Sequence, residues 1–120
     1  MITDERITAY INSLDSGDGE LCDEIAGEAA ASFVPIIKRE TAALLKTMVA
    51  LKQPKHILEV GTAVGYSALL MARIMPEDAH ITTIEKFEKR IPVAKANFKK
   101  AQLEDRITLL EGDAGEILAD

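Results

Sequence analysis

Ile57-Leu58-Glu59-Val60-Gly61-Thr62-Ala63-Val64-Gly65-Tyr66-Ser67 is the stretch that decides the fold. An aliphatic run, His56 to Val60, stops at Gly61, and from Ser67 to Met75 the apolar residues follow helical spacing. The reading is a short buried strand, a glycine-bearing turn and a helix. Gly61 allows a tight turn with no Cβ over the end of the strand, and Gly65 allows a close turn into the helix. A turn of purely structural purpose could use the same glycines. Its place between this strand and this helix points instead to a ligand, which backbone can approach closely at that end of a sheet.

Downstream, strands and helices alternate. His80 to Ile84 reads as a β-branched strand and Arg106 to Leu110 as a third strand. Between them, Phe87 to Gln102 reads as a helix with Ile91, Ala94, Phe98 and Ala101 facing inward. Asp113-Ala114-Gly115-Glu116 resembles a capping box that opens one more helix. Right-handed crossovers make such strands parallel. The expected class is therefore α/β, a Rossmann-like, doubly wound parallel sheet of which the first three strands are present.

Upstream the pattern is helical. Ile7, Ile11 and Leu14 mark a first helix ending before Ser16-Gly17-Asp18-Gly19, and Leu21 to Phe33 a second that stops near Pro35. Arg39 to Leu51 is a third, with Ala42, Leu45, Met48 and Val49 on one face. Pro54 separates an N-terminal helical segment, 1–53, from the sheet-bearing part, 54–120. The first strand of such a sheet is normally central and paired on both sides. One edge of His56 to Val60 is thus expected to lie bare or to be covered by a copy of the chain in a homodimer. The chain reads as a fragment, the first half of a longer domain.

The composition suits a single soluble domain of 120 residues, 48% hydrophobic and 28% charged. With 4% aromatic residues and no Trp, its core must come from Ile, Leu, Val, Ala and Met. A lone cysteine, Cys22, excludes an internal disulfide, cannot build a metal site by itself and reads as a small apolar residue. The charged N-terminus is no secretory signal, and no apolar run approaches the roughly 18 residues of a membrane span. A reducing, cytoplasmic location is expected. The net charge of −6 hides an asymmetry: residues 86–106 carry seven basic side chains against three acidic ones. Lys86, Lys89, Arg90, Lys95, Lys99 and Lys100 most simply form a solvated helix face, while a local nucleic-acid contact stays open. His56 and His80 open strands, away from the glycine turn, and read as structural.

The turn itself selects a ligand class. A dinucleotide fingerprint is G-x-G-x-x-G, whose packed backbone receives a pyrophosphate. Here Ala63 replaces the second glycine, the third is absent, and Glu59 would repel a diphosphate. A carboxylate there suits a cationic ligand, and S-adenosylmethionine offers an ammonium and a sulfonium. Glu85, about 20 positions beyond the turn, can accept hydrogen bonds from both ribose hydroxyls. Asp113, after Gly112, can accept from an adenine amine, or serve as a plain helix cap, or do both. The three signals end three successive strands and so converge on one edge of the sheet. The alternative is an NAD-type nucleotide-binding module without transferase activity, against which Ala63 and Glu59 count.

ILEVGTAVGYSALLMA at 57–72, ITTIEKFEKR at 81–90 and ITLLEGDAGEIL at 107–118 resemble the bacterial O-methyltransferases related to catechol O-methyltransferase. VPIIKRETAALLKTMVALKQPKHILEVGTA at 34–63 is most similar to the subgroup that methylates 5-hydroxyuridine in transfer RNA. The resemblance covers the whole chain and about the first half of the family's length. It implies a cofactor, S-adenosylmethionine, whose methionine end is lined by Glu59, Gly61 and Ser67 with Tyr66 beside it. Thr62 and Gly65 belong to the same turn. Glu85 would take the ribose and Asp113 with Ala114 the adenine, while Ile36 and Ile37 fall where the family's N-terminal segment folds over the cofactor. It further implies a hydroxylated small molecule or transfer RNA as methyl acceptor. A divalent metal, Mg, would be bound by residues of the full-length protein that follow this stretch.

Overall fold

The structure, a computed structural model, describes residues 4–119; Met1, Ile2, Thr3 and Asp120, which the two expected segments include, lie outside the described residues. Three helices come first: α1 (Glu5–Ser13), α2 (Glu20–Ala31) and α3 (Arg39–Lys52). Then β1 (His56–Val60), α4 (Tyr66–Ile74), β2 (His80–Glu85), α5 (Ile91–Lys100), β3 (Ile107–Glu111) and α6 (Ala114–Ile117) alternate. The strands form one parallel sheet in the order β1-β2-β3. This is the expected α/β architecture.

The local chemistry explains where elements start. Asp4 caps α1, its side chain accepting the Arg6 N–H at 2.8 Å. The helix expected from Phe87 begins only at Ile91, because 87–90 close a turn in which Arg90 N–H donates to Phe87 O at 2.9 Å. Pro92, which has no N–H to give, is accommodated in the first turn that follows. β3 starts one residue later than expected, and α4 one residue earlier.

α4 carries the core. Ala68, Leu69, Leu70, Met71 and Ala72 are all buried in succession, so this helix has no solvated face until Arg73. It lies between β2 and the helices α2 and α3. Each fully buried Leu there is worth about 2 kcal/mol in transfer terms. β2, the central strand, is buried along most of its length, with Ile81 and Ile84 in the interior. Cys22 is buried beside α4, and burial pushes its thiol pKa up.

Two polar links hold the outer elements to this core. The Arg106 guanidinium donates to Ala72 O at 3.3 Å and Pro76 O at 2.7 Å, closing the end of α4 onto the start of β3. Asp18, buried in the α1–α2 loop, accepts the Tyr66 hydroxyl at 3.3 Å and pairs with Lys46 of α3. Among the described residues β1 pairs only with β2, and Leu58 and Val60, which project from the same face of the strand, are 56% and 61% exposed. Met48, expected on one face of α3 with Ala42, Leu45 and Val49, is exposed, because that edge of the helix overhangs the bare side of β1. No helix among the described residues is long and apolar enough to cross a membrane.

Candidate functional site

The glycine turn is fixed at every step. Gly61 and Thr62 donate their N–H groups to Ile84 O at 2.8 and 3.1 Å, and Gly65 donates to Thr62 O at 2.9 Å. Gly61 and Gly65 hold φ of +93° and +91°, and Ala63 holds +48° within the left-handed well. Asn97 of α5 donates from Nδ2 to Val64 O at 2.8 Å. The Ala63 N–H donates to Glu85 Oε2 at 2.7 Å, so the carboxylate ending β2 clasps the turn that follows β1.

Two cavities meet at this turn. The first, of 260 Å³, lies over the carboxyl ends of all three strands and is lined by Gly61, Glu85, Lys86, Asp113 and Ala114 among others. The second, of 580 Å³, runs along the bare side of β1 under α3 and is lined by Ile37, Glu59, Gly61 and Ser67 within an apolar wall. Val60 and Gly61 line both. The sequence-predicted residues Glu85, Asp113 and Ala114 thus share one cavity, Ile37, Glu59 and Ser67 the other, and Gly61 joins them.

Thr62, Gly65 and Tyr66 line neither cavity. Thr62 is buried, its hydroxyl 2.6 Å from that of Thr83. A Cβ at Gly65 would stand 2.7 Å from the Phe98 ring, so this glycine is required by packing. The Tyr66 ring turns inward to Asp18, and burial with the nearby Asp18 charge pushes its pKa to about 12. Ile36 is half-buried against the core.

The carboxylates differ in environment. Glu59 accepts the Ser67 hydroxyl at 2.5 Å and the Thr83 hydroxyl at 2.7 Å. Burial nevertheless raises its pKa above the usual carboxyl range, more than these two bonds lower it. A half-desolvated carboxylate facing an apolar cavity is a receptor for a positive charge. Asp113 caps α6 by accepting the Gly115 N–H at 2.9 Å, and Lys86, 3.4 Å away, is the main cause of its lowered pKa. The cap predicted at Asp113 is present.

Sequence reasoning missed Thr83 and Asn97, and it read Lys86 as part of a helix face, whereas Lys86 precedes α5 and lines the smaller cavity beside Asp113. Thr83 reaches Glu59 because the two stand in register on adjacent strands, and strand register has no signal in a single sequence. His80 bonds Thr108 at 2.7 Å at the far end of the sheet, and His56 is exposed there. Among the described residues no group of three His, Cys, Asp or Glu side chains is placed to hold a metal ion.

A parallel sheet with a glycine turn after its first strand and a carboxylate at the end of its second is the arrangement of a Rossmann-like fold. Residues 13–120 match the model of a family described as O-methyltransferase, and the chain belongs to that family. It is 33% identical over 116 residues to the catechol O-methyltransferase of Niastella koreensis, covering 95% of this chain and 52% of that one. Its fold is similar to an SAH-bound methyltransferase from Podospora anserina (TM-score 0.87, 28% identity, 98% of this chain and 54% of that one). It is also similar to the O-methyltransferase from Bacillus cereus in complex with SAH (TM-score 0.83, 26% identity, 95% and 53%). The chain therefore spans about half the length of these relatives.

Proposed function

We propose that the two joined cavities bind S-adenosylmethionine and that the protein transfers its methyl group to the oxygen of a hydroxylated acceptor. The observation that carries the reading is the convergence of Glu59, Glu85 and Asp113 on cavities that share Gly61. In the smaller cavity Glu85 would accept from the ribose hydroxyls and Asp113, with the Ala114 N–H, would meet the adenine. In the larger one Glu59 and Ser67 would receive the amino-acid end, and Ile37 would cover it. Glu59 draws the cationic end in because ionising it without a positive partner is unfavourable in that setting.

Methyl transfer from a sulfonium to a hydroxyl oxygen is an in-line displacement, so the protein's main task is to hold donor and acceptor in line. A divalent metal such as Mg, bound by residues beyond this stretch, would lower the acceptor hydroxyl's pKa. The relatives named above support a hydroxylated small molecule as acceptor. The likeness of residues 34–63 to the transfer-RNA subgroup and the basic stretch 86–106 support the finer reading, 5-hydroxyuridine in transfer RNA.

The test is calorimetric titration of the full-length protein with S-adenosylhomocysteine, with NADH in parallel and with a Glu85→Ala variant. S-adenosylhomocysteine binding that weakens in the variant, with none by NADH, is the expected result. Binding of NADH in preference would replace this reading with an NAD-type module.

A further inference from the structure

Phe33 stands where a glycine belongs. α2 ends in a left-handed turn in which the Val34 N–H donates to Ala29 O at 2.9 Å and the Phe33 N–H to Ala30 O at 3.4 Å. Phe33 itself carries φ +56°, in the position that glycine fills at such helix ends without strain. A bulky side chain there is a conformational outlier. Burial does not offset the strain, because the ring is 92% exposed. Among the described residues little packing is set against that strain.

A second aromatic lies close by. Phe87 is 48% exposed, and the Arg90 guanidinium sits 4.9 Å from its ring centroid. Both rings line one cavity of 330 Å³, together with Ala29, Val64, Lys89 and Arg90. Val64 belongs to the glycine turn, yet this cavity shares no lining residue with the two described above. Among the described residues Lys86, Lys95 and Lys100 each form an ion pair, while Lys89 and Arg90 form none. Glu28 lines the α2 side of the cavity and disfavours phosphate there, which leaves the Lys89–Arg90 side for a backbone.

Exposed aromatic rings beside cations that no described carboxylate neutralises are what single-stranded nucleic acid needs: bases stack on the rings and phosphates lie against the charges. We propose that this cavity is a stacking site for unpaired bases of an RNA substrate, with Phe33 and the Phe87–Arg90 pair as platforms. The inference rests on the transfer-RNA reading of the acceptor and adds a place for unpaired bases outside the two joined cavities.

Fluorescence anisotropy of a labelled RNA stem–loop, with a fully paired duplex of the same length as control, tests it on the full-length protein. Phe33→Gly and Phe87→Ala are each expected to weaken stem–loop binding about tenfold, with duplex binding and S-adenosylhomocysteine affinity unchanged. Phe33→Gly should also raise the thermal midpoint, so its loss of RNA affinity cannot come from misfolding. Stem–loop binding equal to the parent's in both variants overturns the stacking site alone. A changed oligomeric state in Phe33→Gly with RNA affinity intact also overturns it and makes the patch a protein interface. A parent protein that binds S-adenosylhomocysteine but no stem–loop overturns the transfer-RNA reading itself.

Discussion

The Glu85 carboxylate accepts the Ala63 N–H at 2.7 Å through one oxygen and the Phe87 N–H at 2.9 Å through the other. One side chain thus ties the end of β2 both to the glycine turn after β1 and to the turn that precedes α5. Glu85 is buried, so removing it strands two backbone donors. Glu85→Ala is expected to lower stability by about 2 kcal/mol, read by urea denaturation, and to weaken S-adenosylhomocysteine binding well beyond that loss. Glu85→Gln keeps one acceptor oxygen and should fall between the two. A Glu85→Ala protein with parental affinity would remove Glu85 from the ribose.

Glu59 predicts a pH dependence of unusual sign for a carboxyl group. Its pKa is raised above the ordinary 4.5 chiefly by burial, so the folded protein keeps this proton at pH values where the unfolded chain has lost it. Its contribution to stability is therefore greatest below the ordinary carboxyl range and declines as pH rises through the raised value. Glu59→Gln removes that decline, and at neutral pH the variant should be as stable as the parent or more so in thermal melts. A cationic ligand has the opposite preference and favours the ionised group. S-adenosylmethionine binding should release a proton in mild acid and weaken as pH falls, which calorimetry in buffers of different ionisation enthalpy detects. Affinity that is flat with pH would take Glu59 out of contact with the cationic end.

How much of this was legible in the sequence depends on whether a feature is local. The strand ends, the glycine turn and the cap at Asp113 are written in runs of a few residues, and the structure has them within one residue of where the pattern puts them. Contacts across the chain are not written that way. Glu59 meets Thr83 through the β1–β2 register, and Tyr66 turns away from both cavities to a loop 48 positions earlier. Met48 fits the helical period of α3, but periodicity identifies a face and not what stands opposite it. The bare side of β1 leaves that residue exposed. The late start of α5 follows from the turn closed at 87–90, which the apolar spacing of Ile91, Ala94 and Phe98 does not reveal.

The buried threonine pair gives a test of polar coupling. Thr83 donates to Glu59 Oε1 at 2.7 Å, so across the 2.6 Å contact Thr62 is the donor and Thr83 the acceptor. Thr83→Val leaves the Thr62 hydroxyl without a partner and Glu59 with one bond fewer, and should cost about 2–3 kcal/mol. Thr62→Val removes only an end of the chain of bonds and should cost about 1 kcal/mol. In the double variant the orphaned hydroxyl is gone, so its cost should be less than the sum of the two. Strict additivity in urea denaturation would mean that the hydroxyls do not act as a pair.

Gly61 and Gly65 share a left-handed backbone but differ in what a side chain would meet. At Gly65 a Cβ would lie 2.7 Å from Phe98 Cε1, in the interior between the turn and α5. Gly65→Ala therefore adds overpacking, about 1–3 kcal/mol, to a backbone strain of about 1–3 kcal/mol. At Gly61 nothing lies within 4 Å, so Gly61→Ala carries the strain alone. The open space at Gly61 is the corner where the two cavities join, and a methyl group there would stand against a ligand spanning both. The two variants should thus rank in opposite orders. Gly65→Ala should lower the thermal midpoint more, and Gly61→Ala should lose more S-adenosylhomocysteine affinity in calorimetry at a temperature where both are folded. If Gly65→Ala proves the weaker binder of the two while folded, the ligand does not pass over Gly61, and the joined-cavity reading of the cofactor site fails with it.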